Sequence, residues 1–139
     1  MSRKLTREES LRLVDGVLAS LPEPGQPEAC ETCRALPAQA EYYERGSGIE
    51  LERRGEMPEG KASLAELLTF DEWTVLFCQT CSTLYLYSRE YDSYSGHGWE
   101  LSEWLERRNS AQIRSYIADL LDTRPQMVIV ACQKRRDRR

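Results

Sequence analysis

This chain of 139 residues has a single histidine, no long apolar run and no phosphate-binding loop. Because no run of eighteen apolar residues occurs, we expect no transmembrane helix. Gly46-Ser-Gly48 lacks the lysine and the following helix that a phosphate-binding loop needs. His97, the only histidine, lies in a glycine-rich loop that can reach a ligand or a metal, although loop histidines are more often solvated. No pair of carboxylates has the context of a general acid and base, so we do not expect an enzyme.

Positive charge is also in short supply, since the net charge is -4 and the isoelectric point is about 5.2. This balance argues against unaided binding along a nucleic-acid backbone. The last six residues, KRRDRR, carry +4, so the remaining 133 residues sum to -8. The acidic body either suits a basic partner or only keeps the protein soluble. The basic tail is either solvated or contacts nucleic acid or an acidic membrane surface.

The composition favours one domain with a modest core over residues 1–139, because the hydrophobic share is 40% and the charged share is 30%. We expect residues 1–5 and 133–139 to be frayed. The first residues, MSRKLTREESLRLVDG, lack the apolar core of a signal peptide, which predicts a cytoplasmic location. Five cysteines in that reducing compartment favour metal ligation over disulfides.

Two Cys-x-x-Cys pairs carry the clearest chemical signal, and their members are Cys30, Cys33, Cys78 and Cys81. Each such loop brings two sulfurs to one side of a turn, and two pairs complete a tetrahedral site for one Zn²⁺ ion. The spacing between the pairs is longer than usual, and Arg34 and Ser82 stand where a residue tolerant of positive φ is favoured. Two alternatives stay open: small buried residues that hold no metal, and a redox-active pair.

Two elements are predicted in the N-terminal part of the chain. Residues 6–20 have a helical apolar stripe, and Thr6 and Glu9 match a capping box at its start. Residues 40–55, AEYYERGSGIELERRG, place a Gly-Ser-Gly centre between two short segments and predict a β-hairpin.

A further short helix, of about two turns, is predicted after residue 62. Ser63 and Glu66 match a second capping box, and the apolar stripe consists of Leu64, Leu67 and Leu68.

The stretch from Asp71 to Tyr94 reads as two apolar strands joined by the second Cys-x-x-Cys loop. Leu84 and Leu86 share one face of the second strand, and Tyr85 and Tyr87 share the other.

The C-terminal part predicts a helix between two further segments. Residues 99–108 fit either a helix face or a strand interrupted at Glu103. Asn109 or Ser110 caps a clear helix near residues 111–121. The apolar run 127–132, MVIVAC, suits a last strand, with Cys132 as a core residue. Together the elements predict an α+β fold, in which a small antiparallel sheet with a zinc-ribbon-like four-cysteine site is flanked by the N-terminal and C-terminal helices.

Aromatic residues cluster after the second cysteine pair, and the set is Tyr85, Tyr87, Tyr91, Tyr94 and Trp99. With Glu90, Asp92 and Glu100 nearby, an exposed tyrosine face suits a protein partner, because tyrosine offers area and hydrogen bonds at low entropic cost. The surrounding charge has the wrong sign for stacking nucleic-acid bases. Alternatively, these rings pack against the C-terminal helix.

The residues around the second pair also carry a resemblance, on Trp73, Leu76, Phe77, Cys78-x-x-Cys81, Tyr85, Tyr87 and Tyr91. About a third of the chain is similar to small uncharacterised bacterial proteins that carry a zinc-ribbon-like Cys-x-x-Cys before a tyrosine-rich strand. In those proteins a Gly/Ser-rich loop, an arginine-containing strand and a helix follow. The resemblance implies the same order over Ser95 to Leu121, with a strand over Trp99 to Arg108. Some such proteins look like immunity proteins or accessory factors of toxin systems.

We therefore expect a non-enzymatic structural-zinc protein that binds a basic protein partner, as an immunity or adaptor protein does. The alternative is a zinc-ribbon protein that contacts nucleic acid through residues 134–139. A thiol enzyme is a third hypothesis, and it requires a reactive cysteine of low pKa.

Overall fold

A computed structural model describes residues 4–94 and 98–132 of the chain. The α-helices in these ranges are α1, Arg7–Ala19, and α2, Ser110–Thr123. The strands are β1 (Gln39–Ser47), β2 (Glu50–Gly55), β3 (Ala65–Phe70), β4 (Trp73–Phe77), β5 (Leu84–Tyr94), β6 (Gly98–Arg107) and β7 (Ile129–Ala131). Short 3-10 turns cover Pro27–Ala29, Cys33–Ala35 and Glu59–Ser63. His97 and the expected frayed ends, apart from Lys4 and Leu5, lie outside the described residues.

The described strands form one seven-stranded sheet in the order β2-β1-β6-β5-β4-β3-β7, and every neighbouring pair is antiparallel. The predicted α+β class is confirmed, and so is the hairpin β1–β2. The sheet is larger than the small sheet that we predicted. Its longest pairing joins β5 to β6, from Tyr85 opposite Arg107 to Tyr94 opposite Gly98.

Both helices begin where the sequence places them, because each N-terminus is closed by a reciprocal capping box. The Thr6 hydroxyl accepts from the Glu9 amide at 3.1 Å, and the Glu9 carboxylate accepts from the Thr6 amide at 2.9 Å. Asn109 and Gln112 make the same pair of bonds at the start of α2, each 2.8 Å long. Each box satisfies two of the amide donors that a helix start leaves unpaired. Within the described ranges, neither helix has the length and apolarity needed to cross a membrane.

The two helices run antiparallel to each other. Arg7 near the start of α1 pairs with Asp122 near the end of α2 at 2.8 Å, and Asp15 pairs with Arg114 at 2.7 Å. These side chains are about half exposed, so each pair contributes at most about 1 kcal/mol. The apolar contacts beneath them therefore dominate the packing of the helices.

Alternate residues of the central strands enter two separate cores on opposite faces of the sheet. On one face, called here the helix face, Val75 and Leu86 pack with α1 and α2 through Val14, Ile113 and Ile117. On the opposite face, called the cysteine face, the core comprises Leu76, Tyr85, Leu105, Leu36 and the cysteines Cys30, Cys33 and Cys78. The sheet is therefore covered by helices on one side and by the cysteine loops on the other.

The predicted helix over Leu64–Leu68 is wrong, because β3 begins at Ala65 and pairs with both β4 and β7. A β-bulge shifts the register between Glu66 and Leu68. Both Leu67 and Leu68 are buried in the helix-face core as a result, at 6% and 0% exposure. Two neighbouring buried leucines imitate the helical i, i+3, i+4 stripe, and this explains the error.

At the C-terminal end, residues 98–107 are a continuous strand, so the strand interpretation of this segment is correct and the helix interpretation is wrong. Glu103 does not interrupt it, because it pairs with Arg89 of β5 and with Tyr42 of β1. Its carboxylate accepts a hydrogen bond from the Tyr87 hydroxyl of β5. The run 127–132 contributes only the short strand β7, which pairs with β3.

We expect Ile117→Ala to destabilise the fold by about 2–5 kcal/mol, because Ile117 is fully buried between α2 and the sheet and its loss leaves a cavity. Urea unfolding followed by circular dichroism measures the change. Val130→Ala, at a half-exposed position of β7, is the matched control and should change stability by no more than about 0.5 kcal/mol. Equal losses in the two variants would contradict the assigned core.

Candidate metal centre

The four cysteine sulfurs of the two predicted pairs meet on the cysteine face, all within 4.8 Å of one another. The Cys30 and Cys78 sulfurs are 3.7 Å apart, and the Cys33 and Cys81 sulfurs are 3.5 Å apart. A tetrahedral ion with bonds of about 2.3 Å to sulfur requires edges of about 3.8 Å. All four cysteines are free, and these two separations are well above the length of a disulfide bond, which is about 2.05 Å. The cluster can therefore hold one metal ion.

The two loops share one backbone hydrogen bond, although they come from different parts of the chain and only Ser82, not Arg34, has a positive φ. The Cys30 carbonyl accepts from the Arg34 amide at 2.9 Å, and the Cys78 carbonyl accepts from the Ser82 amide at 2.8 Å. Each turn thus joins the first cysteine to the residue after the second. This repeated turn aims both sulfurs of each pair at one point.

Ser82 adopts a left-handed backbone conformation with φ of 65°. Glycine is usual at such a position, and another residue costs about 1–2 kcal/mol. The sequence lacks glycine here, yet the turn still forms, because β4 and β5 hold both of its ends and the Cys78 amide donates to the Thr83 carbonyl at 3.0 Å.

The N-terminal loop is fastened to the sheet at several points around the sulfurs. The Gly25 amide donates to the Cys81 carbonyl at 2.8 Å. Arg107 of β6 donates to the carbonyls of Cys33 and Leu36, at 3.3 and 2.9 Å. Arg107 was not among the site residues predicted from the sequence. Its position two residues after Leu105, on the same face of a strand, is the signal that could have placed it there.

The cysteines differ in burial and in acidity. Burial raises the pKa of Cys33 to about 12. Burial also acts to raise the pKa of Cys81, but hydrogen bonds from Thr83 and the neighbouring thiols outweigh it and lower the pKa to about 7. The sulfur of Cys81 lies 3.0 Å from the Thr83 hydroxyl, and Cys81 is the most exposed of the four residues. In the metal-free protein Cys81 therefore has far more thiolate character at neutral pH than Cys33.

Two buried polar side-chain atoms in the described residues have no hydrogen-bond partner, the Tyr85 hydroxyl and Arg107 Nε. Both lie beside the sulfur cluster, where the Arg107 guanidinium is 5.6 Å from the Tyr85 ring. The Tyr85 hydroxyl forms no hydrogen bond, although the Cys33 thiol is close enough to affect its pKa. Burial, together with Cys33, raises the pKa of Tyr85, which keeps the hydroxyl protonated and able to donate.

The predicted exposed tyrosine face is present only in part. Tyr85 is wrongly included, because its side chain is 0% exposed and lies in the cysteine-face core. Tyr87 is half-buried, and the Lys61 ammonium lies over its ring, 4.0 Å from the centroid. Tyr91 is 56% exposed and stacks on Trp99, with ring centroids 6.2 Å apart. The side chain of Tyr94 lies outside the described part of the structure.

Other candidate residues take no part in the sulfur cluster. Cys132 follows β7 and lies with its sulfur 4.0 Å from a Glu66 carboxylate oxygen, so it is not the buried core residue that we expected. His97 and the basic tail, residues 134–139, lie outside the described residues.

Comparisons with known proteins gave no match: no protein-family model fits the chain, and no significant similarity was found among curated proteins or solved structures. The resemblance to small zinc-ribbon-like bacterial proteins therefore stays a prediction.

We expect the purified protein to carry one divalent metal ion per chain in native mass spectrometry, because four sulfurs fit one tetrahedral ion. Cys33→Ser should lose the ion and at least about 2 kcal/mol of stability, since a structural metal contributes to folding. Cys132→Ser, which changes a cysteine outside the cluster, should keep the metal. A metal-free wild-type protein under native conditions would contradict the assignment.

In a Cys132→Ser background stripped of metal, we expect iodoacetamide to label Cys81 first, because Cys81 is the most exposed of the four residues and the pKa of its thiol is lowered. Cys33, fully buried and of raised pKa, should react last. Peptide mapping by mass spectrometry gives the order, and added Zn²⁺ should protect all four residues. Labelling of Cys33 before Cys81 in the folded protein would show that the site is arranged differently.

Proposed function

We propose that this protein is a non-enzymatic binding protein whose four clustered cysteines hold one structural Zn²⁺ ion, and that its partner is a basic protein. Zinc is the ion that four thiolates in two Cys-x-x-Cys turns suit best, and such a site has no open position for chemistry. Reduced cysteines of this kind fit the cytoplasm.

The surroundings of the sulfurs fit a bound Zn²⁺ ion. Four thiolates and one Zn²⁺ ion carry a net charge of -2, which needs compensation in a buried place. Arg107 supplies a cation beside Cys33, and the unpaired Tyr85 hydroxyl can donate to the Cys33 thiolate. The Tyr85 hydroxyl thus gains an acceptor once the Cys33 thiol is deprotonated. Outer groups of this kind orient metal ligands and tune their charge.

An exposed apolar patch on the cysteine face carries the proposal of a protein partner. The patch, called here the hairpin patch, consists of Tyr91, Trp99 and Leu51, with Ile49 in the adjoining turn. Tyr91 and Leu51 are 56% and 53% exposed, and Ile49 is fully exposed. Apolar groups that lie together at the surface mark interaction sites more often than isolated ones do. Aromatic residues dominate the binding energy of many interfaces.

Gly46 of β1 shapes this patch. An added Cβ at position 46 would lie 2.6 Å from the Trp99 ring, so only glycine lets the indole lie flat across β1. Gly46 is directly opposite both Trp99 and Leu51 in the sheet. The ring therefore joins the tip of the β5–β6 hairpin to the edge strand β2, and it makes one continuous surface of residues from three strands.

The charge of the body supports a basic partner, since it sums to -8 without the last six residues. An immunity or adaptor role in a toxin system rests on the resemblance of the segment around Cys78–Tyr91. The nucleic-acid alternative depends on residues 134–139, and no observation on the described residues favours it.

A photo-crosslinking residue at position 91, in a tagged chain expressed in its native host, should capture one basic protein that mass spectrometry identifies. Leu51→Ser should lower the yield at least about tenfold, because interface anchors are worth about 2 kcal/mol or more. Val130→Ser, which removes an equally exposed valine from the distant edge strand β7, is the matched control. Capture unchanged by Leu51→Ser would overturn the assigned surface, and capture abolished by nuclease would favour the nucleic-acid alternative.

A further inference from the structure

A second surface lies on the helix face, where the sheet extends beyond the two helices. The helix-face core draws its strand residues from β3, β4, β5 and β7, and it leaves β1 and β6 uncovered. A groove of about 620 Å³ opens there. Trp73 forms the boundary, because it packs edge-on against Tyr116 of α2, with ring centroids 5.6 Å apart, and also lines the groove.

The sheet register explains why this groove exists. Trp73, Ser88, Trp104 and Glu41 are direct neighbours across β4, β5, β6 and β1. Strands lie about 4.8 Å apart, so the two indoles are rooted about 10 Å from each other with a serine between them. The small serine leaves a slot between two large rings.

The next row of residues continues the pattern toward the sheet edge. Glu90, Ser102, Tyr43 and Arg54 are neighbours across β5, β6, β1 and β2. A second serine again lies between larger groups, and Tyr43 adds a third aromatic ring to the lining. The groove therefore has half-buried aromatic walls and a floor of small hydroxyl groups.

Exposed carboxylates surround these rings. Glu41, Glu72 and Glu90 line the groove, all three are exposed, and none forms an ion pair within the described residues. Aromatic faces attract cations through the ring quadrupole, and carboxylates attract them by charge. Together the two features favour a cation over an anion, and covering the carboxylates with a purely apolar ligand would cost their hydration.

The chain itself shows what the aromatic wall accepts. The Arg54 guanidinium lies over the Tyr43 ring, 4.5 Å from its centroid. Its side chain is 67% exposed and bonds to Glu52 at 3.4 Å, so it covers one end of the groove and leaves the slot between the indoles open. A planar guanidinium therefore already stacks on one wall of this groove.

We propose that the slot between Trp73 and Trp104 binds an arginine side chain of the basic protein partner. The inference rests on the proposed partner binding and adds the residue that the partner inserts. The planar guanidinium stacks on the indoles, and its N–H groups donate to Glu72, Glu90 or Glu41. Lysine is less suited, because its ammonium group is neither flat nor forked.

The chain's own basic tail is the competing occupant. The last described strand, β7, runs from a position opposite Phe70 to one opposite Leu68. Trp73 pairs with Phe70, so β7 leads away from the groove. This direction favours a partner's arginine over residues 134–139.

Indole N–H signals in a ¹⁵N-labelled sample test the proposal, because the chain has three tryptophans and only two of them line the groove. The probes are the peptide acetyl-Gly-Arg-Gly-amide and its uncharged citrulline counterpart. Trp73 and Trp104, assigned through Trp→Phe variants, should shift with the arginine peptide, while Trp99 on the opposite face should not. The citrulline peptide should bind at least about threefold more weakly, since it lacks the charge.

Charge-matched variants sharpen the test. Glu72→Gln/Glu90→Gln should weaken binding of the arginine peptide at least about threefold, and Glu8→Gln/Glu59→Gln, at exposed positions elsewhere, should not. Absent shifts, equal shifts at all three indoles, or equal affinity for citrulline would overturn the proposal. If the indole signals of Trp73 and Trp104 shift when residues 133–139 are deleted, and do not shift with the arginine peptide, the groove binds the chain's own tail instead. If the groove test fails but position 91 still crosslinks to a basic protein, the proposed function holds and only the arginine slot is wrong.

Discussion

The meeting of two cysteine turns, distant in sequence, is the constraint on which the rest of the structure depends. One turn belongs to the N-terminal loop, which has no strand or α-helix between α1 and β1, and the other joins β4 to β5. Without the sulfurs, that loop would be held by the buried side chain of Leu36 and by a few hydrogen bonds, such as those to Cys81 and from Arg107. A shared metal ion would give the loop the fixed position that its own backbone cannot supply.

This constraint explains why the two faces of the sheet are covered by different kinds of packing. The helix pair buries the helix face of β3, β4 and β5 by ordinary apolar packing. The cysteine face has no helix on it, and its core is built from the loop around Leu36 and from the sulfurs. A chain with only 40% hydrophobic residues can thus cover both faces of the central strands, because the second cover needs few apolar groups.

Neither cover reaches the tip of the β5–β6 hairpin or the edge strand β2, and the proposed binding surfaces follow from that. The β5–β6 hairpin extends past both cores and pairs with β1, which carries β2 at the edge. One side of this extension shows the hairpin patch, with apolar and aromatic groups. The other side shows the slot between two indoles with carboxylates around it. The two sides differ in chemistry because strand residues alternate between faces, so each surface can be tested without altering the other.

The sequence alone was enough to identify the four clustered cysteines, the two helix starts and the β1–β2 and β4–β5 hairpins, since each rests on local spacing and capping. It misread residues 64–68, because the bulge in β3 buries two adjacent leucines, and a bulge is specified by the partner strands. It also assigned Tyr85 to the surface. Alternation shows which residues share a face, but only the packing of the cysteine loop shows which part of that face is covered. The same limit hid Arg107 and the Trp73–Trp104 slot, whose members come from separate strands and meet only through the register of the sheet.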